Sequence, residues 1–495
     1  MTVPFQNIPS NLRVPLFYAE IDNSRANTAT FNQRALIIAQ ITSAGTAIAN
    51  VPIQCTSTSQ AESLGGSGSM LHLMYEAYKA NDNFGEVWVL PLADEGESTY
   101  ATGSIEFTAP PTASGTLSLY IGGQRVSVAV TSAMEELDVA DALIAEITAN
   151  THLPVTAAID EDNSDKVNLT AKNAGVNGND IDLRLNYLGT LGGEVTPTGL
   201  AVTITAMASG ATNPVMTTAL SNCGDEPFDF IACPYTDTTS LNALRDFLSD
   251  STGRWSWSKQ LYGHYFAAYR NTVGNQTTFG NARNDQHGSV LGFNNSPTPN
   301  WIVAAQITAR AAASLRVDPG LPLQTLSING FQAPPLQSRF TLSERNILLF
   351  DGISTFTVGQ DGTCYIENLI TTYQKNAFDN PDDSYLQVET MFLIAYILRR
   401  LRTVITSKYG RKKLAADGTR LPAGGNVVTP KMIKSDLIAE YRAMEAEGYV
   451  QNSDLFAQEV IVEKSTTPNR VNVLFPPTLI EQLRIFAVLF QFRNN

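Results

Sequence analysis

Four histidines, four cysteines, one glycine-rich turn and one knot of acids are the residues of this 495-residue chain best suited to chemistry. Metal or acid–base work would need histidines at ligand spacing, as in H-E-x-x-H, where two rings share one helix face. His72, His152, His264 and His287 are scattered and stand in no such motif. An isolated histidine is more often a satisfied structural residue. Cys55, Cys223, Cys233 and Cys364 have no C-x-x-C spacing and are too few for a disulfide framework, so they read as small buried hydrophobes in a reducing compartment. No G-x-S-x-G elbow is present. The turn Gly65-Gly66-Ser67-Gly68-Ser69 precedes a helical pattern, where main-chain amides can cradle a phosphate. It matches neither G-x-G-x-x-G nor G-x-x-x-x-G-K-[ST], and a plain strand-to-helix turn is the simpler reading. Asp160, Glu161, Asp162 and Asp165 could face calcium, yet the glycine and closing glutamate of an EF-hand loop are missing. A solvated hairpin tip is expected instead. No constellation supports catalysis, a cofactor or a metal, so the expectation is a protein that is not an enzyme.

Two features ask for a partner. In residues 485–492 seven of eight side chains are apolar. As a strand, Ile485, Ala487 and Leu489 would face one way, and Phe486, Val488, Phe490 and Phe492 the other. A strand apolar on both faces belongs in the middle of a covered sheet and would aggregate as an open edge. It either fills a sheet of its own chain or is donated to a neighbouring copy by β-augmentation. The second feature is charge. Arg399, Arg400, Arg402, Lys408, Arg411, Lys412, Lys413 and Arg420 stand against Asp417 alone, a local +7 in a chain of net charge −14. A helix end that favours cations followed by a solvated basic loop explains this, as does a docking surface for an acidic partner.

The elements that must position these features follow from periodicity. Prolines 4, 9 and 15 in an extended pattern make residues 1–23 an arm with one edge strand, RVPLFYAEID. Residues 34–40 and 86–92 are continuous apolar runs flanking a helix at 69–80, the signature of a sheet covered on both faces. Residues 99–213 turn Thr-, Ser-, Ala- and Gly-rich, with short alternating strands and one helix; residues 101–210 hold 13 acids and 4 bases, a net −9. From 228 the α/β pattern resumes, through strands at 228–235, 260–269 and 287–293 and a long helix at 299–315. One further helix is expected from Ser384, where Ser384-x-x-Gln387 is a capping box, to the arginines 399–402. Another runs from the cap Thr429 through Pro430 to Gly448, with Ile433, Leu437, Tyr441 and Met444 as its apolar stripe. After Pro476-Pro477 a short helical turn should lead into the terminal run. The fold class is thus an α/β domain, a mixed sheet with helices on both faces, formed by 24–98 plus 214–484 as a discontinuous domain of one or two subdomains. A β-rich insertion domain at 99–213 interrupts it, and extended arms at 1–23 and 485–495 flank it.

Size and composition agree. A chain this long exceeds one core, and 43% hydrophobic against 16% charged residues is ordinary globular material. A net charge of −14 argues against nucleic acid as a partner, since phosphate is bound by surplus Lys and Arg. The first residues have no basic n-region before an apolar run, so no secretion signal is expected. No apolar run approaches the ~20 residues of a membrane span, and no membrane insertion is expected.

Four segments carry a resemblance: IPSNLRVPLFYAEIDNS, SLGGSGS before a helix, TAKNAGVNGNDIDLRLNY, and the ending NRVNVLFPPTLIEQLRIFAVLFQFR. Together they resemble the contractile tail sheath proteins of Mu-like bacteriophages, over essentially the whole chain. The resemblance implies an inner α/β domain with peripheral domains inserted into it. It implies stacked hexameric rings around a tail tube protein, contacts with baseplate and tail terminator proteins, and contraction that drives the tube through the host envelope. The setting would be the virion tail, assembled in the host cytoplasm. Arms of each subunit would complete a sheet in its neighbours, which selects Arg13, Val14, Leu16, Phe17 and Tyr18 at one end. At the other it selects Ile485, Phe486, Val488, Leu489, Phe490 and Phe492. Arg399, Arg400, Arg402, Lys408, Arg411, Lys412 and Lys413 become candidates to face the tube. The alternatives are a sheath of a phage-derived bacteriocin or secretion system, and, from a different class, an α/β enzyme binding a nucleotide at 65–69.

Overall fold

The computed structural model describes residues 33–420 and 425–494. The chain divides into two units, one of Gln33–Met391 and one formed by the chain from Phe392 onward.

The first unit is organised by β1 (Ala35–Gln40), in which every residue is fully buried, as a continuous apolar run requires. The edge strand β2 (Ile53–Cys55) leads to α1 (Thr58–Gly65), capped by Ser57, and α2 (Met70–Lys79), capped by Ser69, before β3 (Val87–Leu92). Both caps are serines whose side chains accept an otherwise orphaned amide of the first turn.

The chain then builds the insertion: β4 (Thr102–Ala109), β5 (Gly115–Ile121), β6 (Gln124–Val130), α3 (Glu136–Ala149), β7 (Val155–Ile159), β8 (Lys166–Ala171), β9 (Leu183–Leu185) and β10 (Ala201–Ala208). All pairings are antiparallel, in sheets ordered β10-β4-β8-β7 and β6-β5-β9. Alternation along β6 and β8 buries every second residue, and α3 lays Val139, Leu143 and Ile147 over them. Among the described residues, the buried members of the resulting core all come from 101–207, Ile105, Phe107, Leu119 and Leu169 among them.

Past α4 (Thr217–Asn222) the main sheet is completed by β11 (Phe230–Ala232), β12 (His264–Arg270) and β13 (Gly288–Phe293). α5 (Thr238–Leu248) and α6 (Val273–Asn281) connect these strands, and α7 (Asn300–Leu315) follows. The order is β13-β12-β11-β1-β3-β2, parallel except for β2. Leu36, Ile38 and Ile231 pack with Leu220 of α4 and Leu241, Leu244 and Leu248 of α5. The alternate residues Ala35, Ile37 and Ala39 face the opposite side, where α2 lies on β1 and α7 on β11 and β12. Helices therefore cover both faces of a mixed sheet. α8 (Leu342–Phe350) and the hairpin β14 (Thr355–Val358) and β15 (Cys364–Asn368) close this unit.

α9 (Val388–Tyr409) starts later than its sequence suggests. Ser384 is no cap: its amide and hydroxyl both donate to the Asp382 carboxylate, and Gln387 is held in a bridge to Ile370. Nor does the helix end at its arginines; no breaker intervenes before Gly410.

In the second unit the short β16 (Lys413–Leu414) pairs with β17 (Val427–Val428). α10 (Pro430–Ala446) carries the expected cap, with Thr429 accepting the Met432 amide, and the expected buried stripe Ile433, Leu437, Tyr441 and Met444. β18 (Val450–Gln451), α11 (Ser453–Glu459), the hairpin β19 (Ile461–Lys464) and β20 (Val471–Leu474), and β21 (Thr478–Leu479) follow. The Tyr441 ring stacks on Phe456 at 3.8 Å, the centre of this core. The helical turn expected after Pro477 is absent. Instead Thr478 donates to the Tyr441 hydroxyl at 3.0 Å and β21 pairs with β18. Beyond Leu479 no helix or strand occurs among the described residues.

Candidate functional site: a filled crevice and two assembly surfaces

An open α/β sheet binds its ligand outside the carboxyl ends of the strands, where successive connections diverge. Here that point lies between β1, whose chain leads on to β3, and β11, which leads to β12. The crevice is occupied by the protein's own residues 173–180. Gln40 Nε2 donates to the Ala174 carbonyl and to Asp94, both at 2.7 Å. Asp94 in turn accepts the Ala174 amide at 3.0 Å, and Asn173 Nδ2 donates to the Ile41 carbonyl at 3.0 Å. Asn177 Nδ2 reaches the Pro234 carbonyl just past β11 at 2.9 Å, and Arg270 at the end of β12 donates to the Asp180 carbonyl and carboxylate at 2.7 and 3.0 Å. The space left among Gln40, Asn173, Asn177 and Trp301 is about 20 Å³, room for a single water.

The turn at 65–69 is filled in the same manner. Ser69 Oγ accepts the His72 amide, Asn173 Oδ1 accepts the Met70 amide at 2.8 Å, and Gly68 N–H donates to His72 Nδ1 at 3.2 Å. Lys172 Nζ caps the Ser67 carbonyl at 3.1 Å. Gly68 has φ +71, and a Cβ there would sit 2.3 Å from the Leu153 carbonyl oxygen. The amides a phosphate would need are thus taken. At the acidic knot, Asp160 spends its carboxylate on the amides of Asp162 and Asn163, on Lys166 and on Asn168. Those contacts hold its carboxyl down to about 2, the Asn168 hydrogen bond foremost.

His264 and His287 are structural. His264 shares a 2.8 Å hydrogen bond with Ser289, and burial, with His287 nearby, pushes its imidazole well below the usual value. His72 and His152, eighty positions apart, are brought ring to ring at 4.8 Å, with Glu62 beside them. Sequence spacing gave no sign of this; it arises because the loop after α3 folds back onto α2. All four cysteines are buried and unbridged.

The basic candidates divide. Arg400 is spent within its own unit: its guanidinium donates to Glu440 at 2.5 Å and grips Glu447 through two nitrogens, clamping α9 to α10. Lys408 lies 3.7 Å from Asp436. Arg402, Lys408, Arg411, Lys412 and Lys413 are exposed, and Arg399 is half-buried.

At the carboxyl end, Ile485, Phe486, Val488, Leu489, Phe490 and Phe492 are all exposed, Ile485 at 84% and Phe490 at 81%. These residues are neither in a sheet of their own unit nor packed in its core. The hairpin β19–β20 is a two-stranded sheet with no further strand on either edge among the described residues, and Ile461, Val473 and Leu474 on it are exposed. Arg13, Val14, Leu16, Phe17 and Tyr18 lie outside the described residues. No helix among the described residues is long and apolar enough to cross a membrane.

Two family models match the chain, the phage tail sheath protein central domain over residues 209–372 and the phage tail sheath C-terminal domain over 380–493. The Mu-like prophage FluMu tail sheath protein of Haemophilus influenzae is 40% identical over 495 residues, which is 99% of this chain and 100% of that one. The chain is a phage tail sheath protein. It is a structural component of a contractile tail and not an enzyme. Among solved structures, a sheath tail protein from Listeria innocua is similar at 12% identity and a TM-score of 0.48, covering 92% of this sheath protein and 94% of its own chain. A sheath tail protein from Desulfitobacterium hafniense is similar at 12% identity and 0.46, covering 94% and 100%.

Proposed function

We propose that this sheath protein polymerises as stacked hexameric rings around an inner tail tube, and that its terminal segment joins each subunit to the next by strand donation. The observation that carries this reading is the exposure of an eight-residue run with seven apolar side chains, 485–492, which joins no sheet of its own unit. The open edges of β19–β20 in a neighbouring copy are its natural acceptor, since they present unpaired main-chain groups and exposed Ile461 and Leu474. About six ladder hydrogen bonds would contribute roughly 3–9 kcal/mol, and each large side chain buried roughly 1.5–3 kcal/mol more. Residues 13–18 would serve as the second arm. Such links hold while rigid bodies rotate past one another, the repertoire of a bistable assembly that shortens, widens and drives the tube through the host envelope.

Exposed charge pairs, worth about 0–1 kcal/mol each, suit contacts that break and re-form. Arg399, Arg402, Lys408, Arg411, Lys412 and Lys413 are accordingly assigned to the tail tube protein, with baseplate and tail terminator proteins as end partners. The setting is the virion tail, after assembly in the host cytoplasm. Deleting 485–495 tests the core of the reading: electron microscopy should show sheath tubes from the full chain and dispersed subunits from the truncated one. Tubes of normal repeat from the truncated chain would reject strand donation.

A further inference from the structure

Glu62 on α1, His72 on α2 and His152 in the loop after α3 place one donor atom each within 4.8 Å of one another. Glu76, one turn along α2 from His72, brings a second carboxylate to 4.0 Å from Nδ1 of His152. Two imidazoles thus converge with two carboxylates where the insertion folds against the main sheet's helices. None of these groups is used by the crevice or by the assembly surfaces.

We infer that this cluster binds a divalent transition ion of borderline softness, zinc foremost, through His72, His152 and Glu62. Glu76 or a water would take the remaining position. Two nitrogen donors select against magnesium and calcium, which take oxygen shells. Donors about 2.0–2.2 Å from a tetrahedral ion stand a little over 3 Å apart, so the set must draw inward. The more accessible side chains have room to do it: His152 is 47% exposed on a loop, and Glu62 is half-buried. His72, 2% exposed on α2, is the fixed point.

The site carries a built-in signature. His72 Nδ1 accepts the Gly68 amide at 3.2 Å. A neutral imidazole has one free lone pair. Giving it to an ion ends that hydrogen bond, whichever nitrogen binds, and releases the Gly68 N–H. Binding is therefore coupled to the 65–69 turn, and the ion would add a cross-link beside the Ser67–Thr151 contacts at 3.0 and 3.1 Å.

Calorimetric titration of the full-length protein with zinc chloride, then nickel and magnesium chlorides, tests this. One equivalent of zinc should bind, nickel should compete and magnesium should not. His152→Ala, on an exposed ring, and Glu62→Gln should each weaken zinc at least tenfold without lowering the melting temperature of the ion-free protein. In the parent protein, hydrogen exchange of the Gly68 amide should quicken with zinc. Absence of stoichiometric zinc binding, or a zinc affinity in either variant equal to the parent's, overturns the site. Binding with no change at Gly68 overturns the part given to His72.

Discussion

Gln40, at the carboxyl end of the central strand β1, donates through Nε2 to the carbonyl of Ala174, 134 positions on and 2.7 Å away. That single bond ties the middle of the sheet to the insertion, and Asp94 closes the clasp by accepting from both residues.

Replacing Asp94 with Ala should therefore be costly although no apolar packing is lost. The Ala174 amide loses its acceptor and Gln40 one of two, so about 1–3 kcal/mol per stranded group is expected. Urea unfolding should show a lower midpoint, and Asp94→Asn a smaller loss. A stability equal to the parent's in Asp94→Ala would refute the clasp.

Acid should weaken the subunit in two stages. Burial, with His287 close by, keeps His264 neutral in the fold and well below its ordinary 6.5. Unfolding lets it take a proton, so stability is full above about 6.5 and declines as pH falls below it. Burial alone would raise Asp82, but the Arg316 guanidinium, aided by the Tyr78 hydroxyl and the Gly85 amide, holds it below 3.8. Its contribution is present above that value and fades as pH falls through and below it. Melting temperature against pH should show both declines. His264→Gln, which can keep a partner in Ser289, should flatten the first; an unchanged slope between pH 6.5 and 5 would disprove its origin.

Arg400→Ala should destabilise the second unit. It leaves Glu440 and Glu447 facing each other across a lost cation, a loss of about 1–3 kcal/mol. Hydrogen exchange should speed in α9 and α10 and stay unaltered in β1. An Arg400→Lys variant should recover only part, because a single ammonium cannot reproduce the forked grip. Normal exchange in α10 of the alanine variant would show the clamp to be idle.

Phe490→Ser should separate assembly from folding. The ring is 81% exposed in the subunit, so its melting temperature should change by less than about 1 °C, as for surface substitutions. Sedimentation should show a marked loss of polymer. Unimpaired polymer would place the terminal residues outside the joint.

Much of the main sheet was legible because a buried parallel strand leaves a continuous apolar run, and residues 35–40 and 87–92 have one. α10 was legible for a local reason too, since Thr429, Pro430 and Gly448 act within a turn of themselves. The start of α9 was not, because Asp382 outcompetes the helix for Ser384. Arg400 read as surface charge, since its carboxylates come 40 and 47 positions later on another helix. The terminal run showed in sequence that it must be covered. What covers it belongs to no local pattern.

β1 has a further consequence in time. Its one edge pairs with β3, but the other waits for β11, which cannot emerge from the ribosome until residues 93–229 have been made. At about 5–20 residues per second this interval is on the order of ten seconds. Throughout it, the unpaired edge of an apolar strand stands open to any other nascent chain. Yield of the intact protein should thus depend on translation speed through the insertion and on holding factors that shield β1 meanwhile.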